Sequence, residues 1–120
     1  MKRPLPILRE FNQEEFDRAL VGFLVAAQTK VNAQWKAMGL TYAPPPTIII
    51  SGSGERWIKL VKQGNAPDTS SSVYVFIDRT TGFVHKARTW KAPEPKNPRS
   101  SIFDDDFGAS GVTHHGAVYL

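Results

Sequence analysis

The residues of this chain best suited to chemistry are aromatic and basic, and they fall close together. Between Ser72 and Asp78, Tyr74 and Phe76 alternate with Val73, Val75 and Ile77. A strand there would turn both aromatics to the face opposite its aliphatic set. Trp57, Lys59, Lys86 and Arg88 join that face if the neighbouring strands pair in a suitable register. Aromatic platforms beside cations are what single-stranded nucleic acid or a nucleotide requires, because bases stack on rings and phosphates need neutralising. A basic run continues through Lys91, Lys96 and Arg99, with Glu94 its only counter-charge and Trp90 available to stack a base. A competing reading uses the same residues: the C-terminal tail covers this face, so the aromatics form a second small core. The cations then belong to a solvated loop that pairs with Asp104, Asp105 and Asp106.

Other groupings carry less. Asp104–Asp106, His114 and His115 fall within a dozen residues, and clustered carboxylates or His–Asp pairs serve hard cations and proton transfer. Adjacent aspartates in an extended segment point apart, and the spacing fits no EF-hand or HExxH pattern, so a surface acidic turn is expected. His85 alternates within a strand and reads as structural. Ser51-Gly52-Ser53-Gly54 is glycine-rich, but no Gly-Lys-Ser/Thr follows and no helix begins there, so it reads as a turn. The chain has no cysteine, which excludes disulfides, thiolate catalysis and cysteine-based metal sites. We expect no catalytic residues, no metal and no cofactor.

The elements that must position these groups are legible in outline. Asn12 is a favoured N-cap with Glu15 at N3, and Phe11 and Phe16 stand at the positions of a hydrophobic staple. Phe16, Leu20, Phe23, Leu24, Ala27, Val31, Trp35 and Met38 recur at three- and four-residue steps. Gly39 suits a C′ residue, and Pro44-Pro45-Pro46 forbids continuation. The pattern predicts a helix over 12–38, about 40 Å long. Thr47–Ile50, Glu55–Gln63, Ser72–Asp78 and Phe83–Thr89 read as strands, the last two joined by a hairpin at Arg79–Gly82. Gly64–Ser71 reads as an exposed loop.

From Trp90 onward, Pro93, Pro95 and Pro98 preclude regular structure. Ile102, Phe103, Phe107, Val118 and Tyr119 are nevertheless too many large apolar groups for a disordered linker, so an ordered, irregular tail is expected over 90–120. The fold class is therefore α+β: one single domain over 1–120, with the helix on a three- to four-stranded antiparallel sheet over 47–89. The composition agrees, with 41% hydrophobic and 22% charged residues. The start, Met1 to Pro6, is basic, but prolines and Arg9-Glu10 interrupt it and leave no signal-peptide core. The longest nearly uncharged run, Ala19–Gln28, is too short to span a bilayer. A net charge of +4 leans slightly toward an anionic partner.

The stretch Thr81-Gly82-Phe83-Val84-His85-Lys86-Ala87-Arg88-Thr89-Trp90-Lys91-Ala92-Pro93, followed by Arg99-Ser100-Ser101-Ile102-Phe103-Asp104, resembles small proteins encoded by bacteriophages. Their pattern is T-G-x-V-x-K-A-x-x-W-K-A-P, then R-x-x-I-[FY]-D. They often end in Gly-x-x-Tyr-Leu, matched by Gly116-Ala117-Val118-Tyr119-Leu120. The resemblance covers about residues 55–120 and implies a phage or prophage origin and a host-cytoplasmic location, with no settled activity. The leading expectation is a non-enzymatic phage accessory protein, acting as a homo-oligomer. It binds single-stranded DNA, RNA or a small nucleotide through the aromatic and basic sheet face. The alternative is a protein–protein module that inhibits a host or defence factor, or a minor structural protein of the virion. No membrane partner is expected.

Overall fold

A computed structural model describes residues 5–39, 43–66 and 69–119. The basic start at Met1–Pro4, the loop residues Pro67 and Asp68, and Leu120 of the closing motif lie outside the described residues.

Helix α1 (Gln13–Ala37) begins where its capping signals place it. The Asn12 side chain accepts from the Glu15 N–H at 2.8 Å, and the Glu15 carboxylate accepts from the Asn12 N–H at 3.3 Å. These bonds satisfy donors that a helix end leaves open. The staple forms too, with the Phe11 and Phe16 rings 5.7 Å apart. Gly39 takes φ +72° and its N–H donates to the Lys36 carbonyl, closing the helix as a C′ glycine does. Phe16, Ala19, Leu20, Phe23, Ala27 and Val31 are buried. The apolar stripe expected to run on to Met38 stops short: Trp35 is half-buried, and Met38 is exposed.

Among the described residues five antiparallel strands follow, in the spatial order of the chain: β1 (Thr47–Ser53), β2 (Trp57–Gln63), β3 (Ser71–Asp78), β4 (Phe83–His85) and β5 (Ser100–Ser101). The expected three- to four-stranded sheet thus gains a fifth strand from inside the supposedly irregular tail, where Ser100 and Ser101 pair with Val84 and Phe83. Ser51–Ser53 is strand rather than turn, accommodated by a register shift between Ile50 and Gly52. The strand expected to return as far as Thr89 ends at His85. There the chain leaves the sheet to make a small loop closed by an Ala87–Pro93 bridge. The β3–β4 hairpin forms as expected. Gly82 adopts φ +78°, and its N–H donates to the Asp78 carbonyl at 2.7 Å.

Leu60, Val75, Ile77 and Val84 are fully buried in one cluster with the helix residues, joined by Ile102 and Val112 from the tail. Burying each side chain of this size contributes roughly 1.5–3 kcal/mol. A single 3-10 turn (Ala109–Gly111) completes the tail. Lys30 on α1 holds it, donating from Nζ to the carbonyls of Ala109 (2.5 Å) and Val112 (2.8 Å). Among the described residues, no helix is long and apolar enough to cross a membrane.

Candidate functional site

The expected aromatic and basic sheet face does not exist as one surface. Its centre was to be Tyr74 and Phe76, on the same side of β3. A register shift between Leu60 and Val61 puts an extra residue in β3 there, because Leu60 pairs with Val75 and Val61 with Val73. Two adjacent residues of a bulged strand then share a side. Tyr74 accordingly joins the helix-side cluster with Val75, while Phe76 stays opposite. Both are interior, at 2% and 3% exposure. The Tyr74 hydroxyl donates to the Thr113 carbonyl at 2.5 Å, and burial pushes its ionisation well above the usual tyrosine value. Neither ring can stack a base.

The face that keeps Phe76 is covered by the loop after β4. Trp57 meets Phe76 edge-on at 6.4 Å and His85 edge-on at 4.9 Å. His85 is buried, and its Nδ1 lies 3.0 Å from the Glu94 carbonyl. A carbonyl only accepts, so Nδ1 carries the proton and donates, which leaves Nε2 bare and, among the described residues, without a hydrogen-bond partner. Burial lowers the His85 pKa and keeps the ring neutral, outweighing the opposing contributions of the Glu94 carbonyl and Asp78. The structural reading of His85 is therefore the right one. Lys59, half-buried, sits with its Nζ 3.6 Å from the Trp90 ring centre, so this cation faces an indole instead of solvent phosphate.

Arg99 also leaves the site. It is 4% exposed, and its guanidinium ties three parts of the tail together. Nε donates to the Val118 carbonyl at 2.7 Å, Nη1 donates to the Asn97 carbonyl, and Nη2 lies 3.8 Å from the Glu94 carboxylate. The basic run is thus not a uniform solvated loop. One of its cations is a buried tie.

The acidic run is taken up locally. Asp104 accepts from the Ser101 N–H, and Asp106 accepts from the N–H groups of Gly108 and Ser110. The Asp104 and Asp106 carboxylates shape the turn, as the plainer sequence reading held. Asp78, in the β3–β4 turn, is disfavoured by burial. Its bonds from the Thr80 hydroxyl and N–H, together with Arg56, outweigh that and hold its pKa below the ordinary carboxylate value. Among the described residues, no group of three or more His, Asp or Glu side chains is placed to hold a metal.

Three of the cations that remain accessible, Lys86, Arg88 and Lys96, meet at one place. β4 covers only Phe76 and Ile77 of β3, so the first half of β3, paired with β2 on one side, has no strand on its β4 side among the described residues. Gly116 fills that gap, so close that a Cβ added there would lie 2.7 Å from the Tyr74 carbonyl. Next to this contact is a groove of about 450 Å³, between Val73 and Tyr74, the chain at Lys86–Ala87, and the tail from Thr113 to Tyr119. A second hollow of about 390 Å³ is lined by Arg88, Glu94, Lys96 and Asn97. Lys86 lines both, and its Nζ also lies 5.5 Å from the centre of the 85%-exposed Tyr119 ring. Trp90, 46% exposed, and Lys91 stand on the same loop but line neither hollow.

Of the expected site, then, Lys86, Arg88 and Lys96 come together. Trp90 and Lys91 stay exposed nearby, and Trp57, Lys59, Tyr74, Phe76 and Arg99 are structural. The sequence reading missed Tyr119, His115 and Thr113 as groove walls. Tyr119 was visible as an apolar residue needing a place, but its place depends on contacts across the whole tail.

A model described as "Family of unknown function (DUF7717)" matches residues 12–116. No curated protein and no solved structure matches the chain.

Proposed function

The chain belongs to the DUF7717 family, whose function is unknown, and from its groove we propose that it binds a small nucleotide without catalysing a reaction on it. The observation that carries this is the double placement of Lys86. One cation serves both a largely apolar groove closed by a tyrosine ring and a hollow lined by Arg88 and Lys96. A planar base suits the first, stacked against Tyr119. Phosphates suit the second, where Lys86, Arg88 and Lys96 supply three positive charges against Glu94. Both hollows are of the size that holds one small ligand, about 300–1,000 Å³. A long single strand would need a track of repeated stacking rings, and of the rings expected to supply it Tyr74 and Phe76 are in the interior while Trp57 is half-buried, which leaves Trp90 alone exposed. The small ligand is therefore favoured over the polymer. The resemblance to phage proteins implies a phage origin; on that origin, a nucleotide binder of this kind would act in the cytoplasm of an infected host, sequestering its ligand.

Thermal-shift screening against mono-, di- and cyclic nucleotides, with nucleosides and inorganic phosphate as separate arms, tests the proposal. A ligand at about 100 times its Kd stabilises by about 2.7 kcal/mol, a shift that is easily read. Lys86→Ala and Arg88→Ala should each weaken binding by about tenfold or more, the range for a charge-assisted bond, and added salt should weaken it further. Lys91→Ala, outside both hollows, should not. Absence of any shift with every nucleotide at millimolar concentration would refute the reading.

A further inference from the structure

Among the described residues the sheet ends at β1, which has a strand neighbour on one side only. Its outer edge is handled differently along its length. At the start, the Gln28 side chain from α1 takes the place of a strand. Its Nε2 donates to the Pro46 carbonyl and its Oε1 accepts from the Ile48 N–H, both at 2.8 Å. Those two groups flank Thr47 as the bonds of a parallel neighbour would. Since the Ile48 N–H faces outward, alternation turns the N–H and C=O of Ile50 outward as well. Beyond Gln28 nothing covers them among the described residues, and Ile49 and Ile50 are 41% and 48% exposed.

The helix extends this surface. Trp35 donates to the Ala43 carbonyl and Gln28 reaches Pro46 and Ile48, so the chain runs antiparallel to α1. Ile50 therefore comes level with the turns that carry Val21 and Val25, which are 60% and 62% exposed. Val21, Val25 and Gln28 follow at four- and three-residue steps and share a stripe. Open edges are normally blunted by lysine, proline or inward charge. From Thr47 to Gly54 there is no charged residue and no proline, although the chain as a whole carries +4.

We propose that this edge and helix stripe form a two-fold interface with a second copy of the chain. A two-fold axis at Ile50 lets its N–H and C=O exchange both bonds with the same groups of the second copy. That is the antiparallel hydrogen-bonded pair, and it needs no third component. The two Ile50 side chains then meet on one face, and the Val21–Val25 stripes flank the joint. The self-complementary pair at Ile50 selects this occupant, and charge permits it: two chains of net +4 repel over most orientations, but at this uncharged strip they meet without opposing like charges. The ten-stranded sheet that results leaves Lys86 and its groove, beyond β3, free in each copy.

Sedimentation velocity over about 1–300 μM tests this, since mass action sets the dimer fraction. We expect a concentration-dependent dimer with a Kd of about 10 μM, the range of modest interfaces. Ile50→Lys and Val25→Lys should each raise that Kd by at least tenfold while circular dichroism and Tm stay as in the wild type. Val25 lies on an exposed helix face, so its variant decides the matter if Ile50→Lys folds poorly. A monomer at every concentration overturns the proposal and leaves the edge to a strand from another protein. A dimer that survives both substitutions overturns it equally.

Discussion

Replacing Arg99 by methionine separates a buried tie from a ligand contact. Arg99→Met keeps most of the side-chain volume, so packing changes little and the loss reports on the polar bonds. Two of these go from a charged group to backbone carbonyls, those of Val118 and Asn97. Each bond of this type contributes about 1.5–3 kcal/mol, so about 3–6 kcal/mol is at stake. Val118 and Asn97 are only half-buried, and water can take over part of their loss. The 3.8 Å contact with Glu94 involves a partly exposed carboxylate and adds at most about 1 kcal/mol. The net expectation is about 3 kcal/mol. Unfolding entropy of about 2.1 cal/mol/K per residue converts this to a Tm lowered by roughly 12 °C for a chain of this length. Differential scanning calorimetry at pH 7 reads it directly, with Lys96→Met as an exposed control expected to move by less than about 2 °C. If Arg99→Met melts with the wild type while nucleotide binding is lost, Arg99 faces a ligand, and the tail is not docked as described.

Further outcomes follow from the same packing. Gly116→Ala sets a Cβ against the Tyr74 carbonyl at a φ of +140°, so it should free the tail, lower Tm by at least about 5 °C and open residues 108–119 to limited proteolysis. Burial lowers the His85 pKa, so the unfolded chain takes up a proton near pH 6.5 before the folded one does. Stability is therefore complete above that pH and declines as pH falls through it toward the lower folded value. Tm measured from pH 7.5 to 5 should drop. In His85→Asn, whose amide can replace the Nδ1 donor, the slope should flatten. Gln28→Leu removes both bonds to the start of β1 and should cost about 1–3 kcal/mol in chemical denaturation, with amide exchange at Ile48 speeding up most.

How much of this was legible beforehand varies with the range of the forces involved. Helix α1 was readable to within a residue because its cap, staple, periodicity and C′ glycine all act within a few residues of chain. The β3–β4 hairpin was readable for the same reason, since Gly82 and the Asp78 turn are local. The sheet face was not. Alternation assumes an unbroken register, and one extra residue at Tyr74, forced only by pairing with β2, moved that ring to the other side. β5 is two serines between prolines and a turn, with no propensity to announce it.

From residues alone came the α+β class, the helix, the hairpin and an ordered tail. Where the tail lies was decided only by long-range bonds, among them Lys30 to Ala109 and Val112, Tyr74 to Thr113, and Arg99 to Val118. Those bonds join residues about 20 to 80 positions apart, and no local pattern encodes them. They turned Tyr74, Phe76 and Arg99 of the aromatic and basic set into interior and left Trp57 and Lys59 half-buried. Of what they left outside, Lys86, Arg88 and Lys96 gather around a groove that exists because β4 is too short to cover β3, while Trp90 and Lys91 stay exposed nearby.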